Sequence, residues 1–160
     1  MRKLIAAISA IILLTACSSV DCPVENIVAT YYGIYGSDGE ADTLTDTLTI
    51  YTTMANGEDS IVLNKGVDIA SFSLPIGYTN EGDTFIFVRY NDYVTAYDSV
   101  VITKDNVPHF ESVDCQIAYF HNITGVYWTS GGIDSIVIET SFVDYDSSKE
   151  HFKIYFKEDL

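Results

Sequence analysis

Basic residues are scarce in this chain. Its 160 residues include 8 Lys and Arg against 23 Asp and Glu, which gives a formal net charge of -15. A nucleic-acid partner requires basic side chains that neutralise phosphates, so the sequence predicts no nucleic-acid binding. At 48% hydrophobic and 13% aromatic residues, the chain is too apolar for disorder. Beyond its N-terminal segment, no apolar run reaches the roughly 18 residues of a membrane-spanning helix.

Motifs that carry catalysis are also missing. The sequence holds no Gly-x-Ser-x-Gly nucleophile elbow and no phosphate-binding glycine loop. The three histidines, His109, His121 and His151, are too dispersed to form a His-x-x-x-His metal pair. Neighbouring carboxylates are weak evidence for acid-base chemistry in a chain with 23 acids. We therefore expect no enzymatic activity, no catalytic residues and no metal centre.

The N-terminus has the form of an export signal. Arg2 and Lys3 precede the apolar stretch Leu4 to Leu14, which has the length of a signal-peptide core. The segment Leu14-Thr15-Ala16-Cys17 then resembles the bacterial lipobox, in which the Cys thiol carries a diacylglycerol. We expect a lipoprotein signal peptide over 1–16, a lipid-anchored tether over 17–25 and a single domain over 26–160.

The predicted lipid determines the expected location. Several acyl chains hold a protein on its membrane essentially permanently. Ser18 follows Cys17, where an Asp favours inner-membrane retention in enteric bacteria, so we expect an anchor in the outer membrane. Whether the protein faces the periplasm or the cell surface stays open.

Two further cysteines remain, Cys22 and Cys115. The predicted compartment permits disulfides, and their pairing would close a loop of more than ninety residues. Such a bond stabilises a fold by roughly 4 to 5 kcal/mol in the chain-entropy account. A reactive thiol pair or metal-ligand pair would favour a basic setting, whereas Asp21, Glu111 and Asp114 make this one acidic. We expect a disulfide.

Strand-forming residues dominate the segment after the signal. It contains 14 Val, 14 Ile, 14 Thr, 12 Tyr and 8 Phe, with only five Leu and six Ala. Phe85-Ile86-Phe87-Val88 and Val100-Val101-Ile102 are apolar on both faces, which is typical of central strands covered on each side. We predict an all-β fold, an antiparallel immunoglobulin-like β-sandwich of about eight strands, with a small β-barrel as the alternative. Strands are expected near 27–35, 44–52, 60–64, 69–74, 84–90, 98–103, 115–128 (one strand or two), 134–140 and 151–157.

Several segments are shared with a known group of proteins. They are Val20-Asp21-Cys22-Pro23, Asp46-Thr47-Leu48-Thr49, Phe72-Ser73-Leu74-Pro75, Pro108 to Cys115 and Ile133 to Ile138. On these segments the chain resembles an uncharacterised family of small outer-membrane lipoproteins of the Bacteroidota, whose domain has no known function. The resemblance implies an outer-envelope sandwich and offers no catalytic residues.

The same resemblance bears on a repeated triplet. Asp-Ser/Thr followed by an aliphatic residue resembles the O-glycosylation acceptor of this bacterial group. An Asp that caps a turn before a strand would produce the same letters, so both interpretations stay open. The hydroxyls that fit are Thr43, Thr47, Ser60, Ser99 and Ser135.

Tyrosine clusters are the candidate interaction surface. Tyrosine offers a large contact area at low entropy cost, as in binding loops, although such rings also cover sheet faces. Trp128 is either a cap on the core or an exposed anchor. The loop 37–42 alternates oxygen-bearing residues but lacks the ladder of an EF-hand, so structural calcium is a weak alternative. The clusters contain Tyr31, Tyr32 and Tyr35 in one stretch and Tyr90, Tyr93 and Tyr97 in the other.

These observations favour one function over two others. We expect a non-catalytic envelope lipoprotein that acts as an accessory or interaction module and docks on an outer-membrane protein or an envelope complex. A carbohydrate- or calcium-binding lipoprotein module is the alternative. A hydrolase of unfamiliar type is a third hypothesis, and it would require Ser, His and Asp to meet in one pocket.

Overall fold

A computed structural model describes Cys22, residues 28–54 and residues 57–158. The predicted signal peptide, Cys17 and most of the predicted tether lie outside the described residues. Within the described part, no helix has the length and apolar character needed to cross a membrane. This part of the chain forms ten strands: β1 Ala29–Tyr35, β2 Thr47–Thr53, β3 Asp59–Gly66, β4 Ser71–Pro75, β5 Gly82–Tyr90, β6 Thr95–His109, β7 Ala118–Trp128, β8 Ile133–Ile138, β9 Phe142–Val143 and β10 Phe152–Phe156.

The strands assemble into two sheets with a sandwich-like arrangement. The four-stranded sheet has the order β4-β1-β10-β8, and the six-stranded sheet has the order β3-β2-β5-β6-β7-β9. All pairs in the six-stranded sheet are antiparallel. In the four-stranded sheet β1 and β10 run parallel, with Tyr32 opposite Phe152. The first and last described strands therefore lie side by side.

One apolar core fills the space between the sheets. Strand residues alternate between buried and more exposed positions, as expected for strands with one face in a core. Three rings meet at its centre, because Tyr32 stacks on both Phe72 and Phe152 at centroid distances of 4.7 and 4.8 Å. The largest fully buried apolar side chains are Tyr32, Phe85, Phe87, Phe152, Leu48, Ile50, Leu74, Ile102, Ile133 and Ile154.

The longest element is the hairpin of β6 and β7. Its pairing runs from Val100 opposite Trp128 to His109 opposite Ala118, with a register shift at Thr103 and Lys104. The 15 residues of β6 span about 50 Å at about 3.3 Å per residue. Residues 110–117 close the hairpin, and we call them the hairpin tip. A disulfide joins Cys115 in this tip to Cys22, as the sequence predicts.

The all-β prediction is confirmed, and three details differ. The described residues form ten strands rather than about eight, because the short β9, which pairs with β7 through only two residues, adds to the nine predicted regions. A purely antiparallel fold is wrong, because β1 and β10 run parallel. The segment 115–128 yields one strand, β7, after the hairpin tip. Both strands with apolar residues on each face, β5 and β6, are central as predicted, but their second face is not covered in the way that the pattern suggested.

Candidate interaction surface

One side of the six-stranded sheet points away from the core. In β5 the side chains of Phe85 and Phe87 are buried, so alternation turns Ile86 and Val88 to the opposite side. Residues directly opposite on paired strands share a face, which extends this side across β3, β2, β6 and β7. We call this set the outer face; it comprises Thr49, Tyr51, Ile61, Thr84, Ile86, Val88, Tyr97, Ser99, Val101 and Tyr127.

The outer face has an unusual composition for this protein. None of its residues is charged, although the chain carries 23 acids. Tyr97 and Tyr127 are each 63% exposed, and Ile61 is exposed as well. Charged positions on the same strands, Asp59 and Asp105 among them, lie beyond this set toward the strand ends. Apolar and hydroxyl groups without charge are the composition of a protein-interface core, and contiguous exposed apolar patches mark interaction sites.

The second tyrosine cluster continues the outer face. Tyr97 lies opposite Val88 and Tyr90 lies opposite Thr95 in the β5-β6 hairpin. In the turn, the side-chain oxygen of Asn91 accepts hydrogen bonds from the backbone N–H groups of Tyr93 and Val94, both at 2.9 Å. Tyr93 is 92% exposed at this turn. The cluster therefore presents aromatic rings from a turn whose backbone is held in place.

The first tyrosine cluster is divided between different environments. Tyr32 is a core residue, so its side chain is not available as contact surface. Tyr31 donates its backbone N–H to Nδ1 of His151 at 3.0 Å. Tyr35 donates its hydroxyl to Glu150 at 3.0 Å, and this hydrogen bond, ahead of burial, raises the pKa of the Tyr35 hydroxyl. These rings do not form one surface.

A cleft of about 470 Å³ opens beside the 36–45 loop. Arg89 is its buried cation: it forms an ion pair with Asp46 at 2.7 Å and donates to the carbonyl oxygen of Lys157 at 2.7 Å. The carboxylates of the predicted calcium loop serve its own backbone, because Asp38 accepts the N–H of Glu40 at 3.0 Å. In residues 28–54, 57–158 and Cys22, no three His, Cys, Asp or Glu side chains converge to hold a metal ion. The polar groups that line the cleft thus stabilise the surrounding loops, and the described residues there do not form a metal-binding cluster.

The three histidines lie in separate structural settings. Nδ1 of His121 lies 2.8 Å from the side-chain oxygen of Asn106, and burial, with a smaller effect of the Lys104 ammonium, lowers the pKa of His121 to about 4. Burial likewise lowers the pKa of His151. His109 stacks on Phe120 at a centroid distance of 4.2 Å. Each imidazole is engaged in packing within its own part of the sandwich.

A buried ion pair accompanies His121 inside the sandwich. Nζ of Lys104 contacts Asp83 at 2.6 Å and donates to the carbonyl oxygen of Asn80 at 3.0 Å. The Lys104 side chain is completely buried. Since removing one member would leave a buried charge without its partner, this pair is part of the fold rather than a free reactive group.

Asp98 shows how one triplet is used structurally. Its buried carboxylate accepts backbone N–H groups from Gly131, Gly132 and Ile133 and the hydroxyl of Thr129. A Cβ on Gly131 would lie 2.5 Å from the carbonyl oxygen of Tyr97, which explains the glycine there. Asp98 lies inside β6 and fixes the loop between β7 and β8, so it does not cap a turn before its own strand as the turn-capping interpretation expected.

The remaining candidate hydroxyls differ in exposure. Thr43 lies exposed in a loop, and the other four are half-buried in strands. The hydroxyl of Ser135 donates to the Asp134 carboxylate at 3.2 Å. O-glycosylation of Thr43, Thr47, Ser60, Ser99 and Ser135 stays a prediction. Trp128 packs partly against the core and donates its indole N–H to the carbonyl oxygen of Asp134 at 3.2 Å.

The tyrosine clusters revealed only part of the outer face. Tyr51, Ile61 and Tyr127 belong to it and lie outside those clusters. The signal that could have identified the rest was the doubled apolar pattern of β5 and β6. We interpreted this pattern as a strand covered on both sides. In the structure it belongs to strands whose second side forms the outer face.

The chain matches one known protein family. Residues 47–156 match the model of a family of unknown function, DUF6452. The chain belongs to this family. The match covers β2 through β10 and therefore includes the whole outer face. No curated protein matches the chain significantly, and no solved structure does either.

Proposed function

We propose that this DUF6452 protein is a non-catalytic, lipid-anchored envelope module that docks on a protein partner through the outer face. The supporting observation is the uncharged, tyrosine-bearing face of the six-stranded sheet, in a chain that is otherwise strongly acidic. A partner that fits it has an uncharged surface of apolar and hydroxyl groups. Such a partner can approach the outer face without desolvating a charge, whereas the acidic remainder of the surface is costly to bury.

The size of the outer face limits the kind of contact. Five strands about 4.8 Å apart, with about five residues each, give a patch of roughly 400 Å². This is about half of one side of a standard protein interface. The patch is therefore the core of a contact whose rim comes from neighbouring residues such as Tyr93 and Tyr90.

The anchor and its membrane are part of the same proposal. The lipobox-like segment ending at Cys17, together with the resemblance to Bacteroidota lipoproteins, supports acylation and an outer-membrane location. We also propose that the sandwich is related to the immunoglobulin fold. Growth with an alkyne-labelled fatty acid is expected to label the protein, and Cys17→Ala is expected to abolish the label. Equal labelling of both would contradict the anchor.

Docking is tested by a matched pair of variants in native membranes. Tyr97→Glu places a charge in the outer face, and Val137→Glu places one on an exposed strand position of the four-stranded sheet. After mild crosslinking and affinity capture, we expect one protein to be recovered with wild type and with Val137→Glu. Tyr97→Glu should reduce its recovery at least about ten-fold, as charge burial at an aromatic hot spot does. Equal loss in both variants, or no loss in either, would refute docking through this face.

The carbohydrate- or calcium-binding alternative stays a prediction. The described residues form no three-carboxylate cluster, so the structure offers calcium no specific support. A glycan would be expected to stack on exposed rings such as Tyr93 and Tyr97. Glycan-array binding by wild type that Tyr93→Ala removes would favour this alternative over a protein partner.

A further inference from the structure

The disulfide ties the hairpin tip to the N-terminal tether. Cys22 is bonded to Cys115, with a Cα–Cα distance of 5.5 Å. Cys17 precedes Cys22 by five positions, and five extended residues span at most about 18 Å. If Cys17 carries the lipid, as the proposed function holds, the Cα of Cys115 in the hairpin tip cannot lie farther than about 24 Å from that of the anchored residue.

The hairpin tip exposes apolar side chains. Val113 is 86% exposed, Phe110 is 62% exposed and Ile117 is 53% exposed, all within residues 110–117. Large apolar side chains concentrated at a loop of this length are costly in water and favour an apolar environment. Among the described residues, these three side chains belong neither to the core cluster nor to the partly buried side chains packed against it.

The charges of the tip determine what kind of surface suits it. Glu111 and Asp114 are exposed there, and Glu111 lies 3.0 Å from Nε2 of His109. No Lys or Arg occurs between Lys104 and Lys149. The tip therefore lacks the cations that attract anionic lipids, and its affinity must come from apolar contact.

We propose that the hairpin tip inserts Phe110, Val113 and Ile117 into the headgroup and acyl boundary of the membrane that holds the lipid anchor. This inference rests on the proposed acylation of Cys17. The tether keeps the tip close to the bilayer, so its effective concentration there is high and even a weak apolar contact is occupied. The carboxylates of Glu111 and Asp114 remain in the hydrated headgroup layer.

Insertion of the tip orients the sandwich. β6 and β7 extend from the tip along the hairpin, and both contribute residues to the outer face. With the tip at the bilayer, these strands rise from the membrane and the outer face looks sideways along it. At about 3.3 Å per residue, Tyr97 to Val101 then stand about 30 to 40 Å above the tip, so a membrane protein would meet the outer face through a part that projects from the bilayer.

Tryptophan fluorescence tests this contact. Val113→Trp places a reporter at the tip of the acylated full-length protein, reconstituted in phosphatidylcholine vesicles with or without brominated acyl chains. Val137→Trp is the matched control, because Val137 is an exposed valine on the four-stranded sheet. The native Trp128 adds the same background to both. We expect brominated lipid to quench the Val113→Trp reporter at least about two-fold more than the control.

Flotation with the vesicles separates the two levels of the proposal. If the protein floats and brominated lipid quenches neither reporter, the anchor stands and tip insertion is overturned. A blue shift of Val113→Trp without quenching means that a second copy covers the tip, and this also overturns insertion. If wild type fails to float, or Cys17→Ala floats equally well, the lipid anchor itself is wrong and the inference falls with it.

Discussion

The two outward-facing sides of the sandwich differ in the contacts and exposure of their tyrosine side chains. On the four-stranded sheet, Glu150 binds the Tyr35 hydroxyl and lies across Gly33, where a Cβ would collide with its carboxylate. Lys153 lies over the Tyr35 ring at 5.2 Å and contacts Glu139 at 3.2 Å. On the six-stranded sheet, the outer-face tyrosines Tyr97 and Tyr127 are each 63% exposed. The outward side of the four-stranded sheet therefore has charged groups suited to solvent. The outer face of the six-stranded sheet has the composition of a contact surface.

Backbone pairing alone does not create this difference. Both sheets present alternating strands, and both bury one face in the same core. The difference lies in which residues occupy the outward positions. Polar and charged residues on a solvated face need no partner. Exposed Tyr, Ile and Val side chains reduce solubility unless a partner covers them.

The largest expected effect sharpens the contrast between the two sides of β5. Phe87→Ala empties a fully buried position and should lower the free energy of unfolding by about 3–5 kcal/mol. Val88→Ala, its neighbour on the outer face, should cost less than about 1 kcal/mol, because its side chain is only half-buried. Urea denaturation of both variants measures these values. A cost for Val88→Ala close to that of Phe87→Ala would show that the outer face serves stability and not binding.

A prediction of intermediate size concerns the pH dependence of the free energy of unfolding. It tests a buried group, His121, rather than either outward side of the sandwich. The pKa of His121 is lowered to about 4 in the fold, against about 6.5 in the unfolded chain. The neutral imidazole therefore stabilises the fold above pH 6.5, and this contribution is lost as the pH falls from 6.5 to 4. We expect wild type to lose of the order of 1–3 kcal/mol more than His121→Gln between pH 7 and 4.5. Identical pH profiles in urea denaturation would place the acid sensitivity elsewhere.

The smallest effect probes the charged cover of the four-stranded sheet. Lys153 is a half-buried surface cation whose pKa is raised mainly by its hydrogen bond to Glu139. Exposed ion pairs contribute little to stability, so Lys153→Ala should leave the unfolding midpoint essentially unchanged. It should also leave partner recovery unchanged, in contrast to Tyr97→Glu. Loss of the partner with Lys153→Ala would mean that the binding surface lies on the four-stranded side.

Much of the fold follows from local sequence patterns. Alternation and turn residues located nine strand regions, because each strand has one face in the core and ends at a turn. β9 was missed because two residues, Phe142 and Val143, carry no period. The parallel pairing of β1 with β10 was missed because it joins the two ends of the domain, and no local pattern encodes such a long-range choice.

The candidate site was less accessible to sequence reasoning. Tyr32 and Tyr31 are neighbours in a tyrosine-rich stretch, yet one ring is in the core and the other is half-buried beside His151. Tyr97 and Tyr127 share one face only because β6 and β7 pair in a particular register. Which residues share a surface depends on that register, and a shift by one position would turn every side chain to the other face.

If the outer face of the six-stranded sheet binds a protein partner, a crosslinker placed on that face must reach the partner. The most direct test places a photo-crosslinking amino acid at Tyr97 in one variant and at Val137 in another, in the acylated protein within native membranes. We expect one discrete crosslinked product from position 97 and none from position 137. No product from position 97, or the same products from both positions, would contradict binding through the outer face.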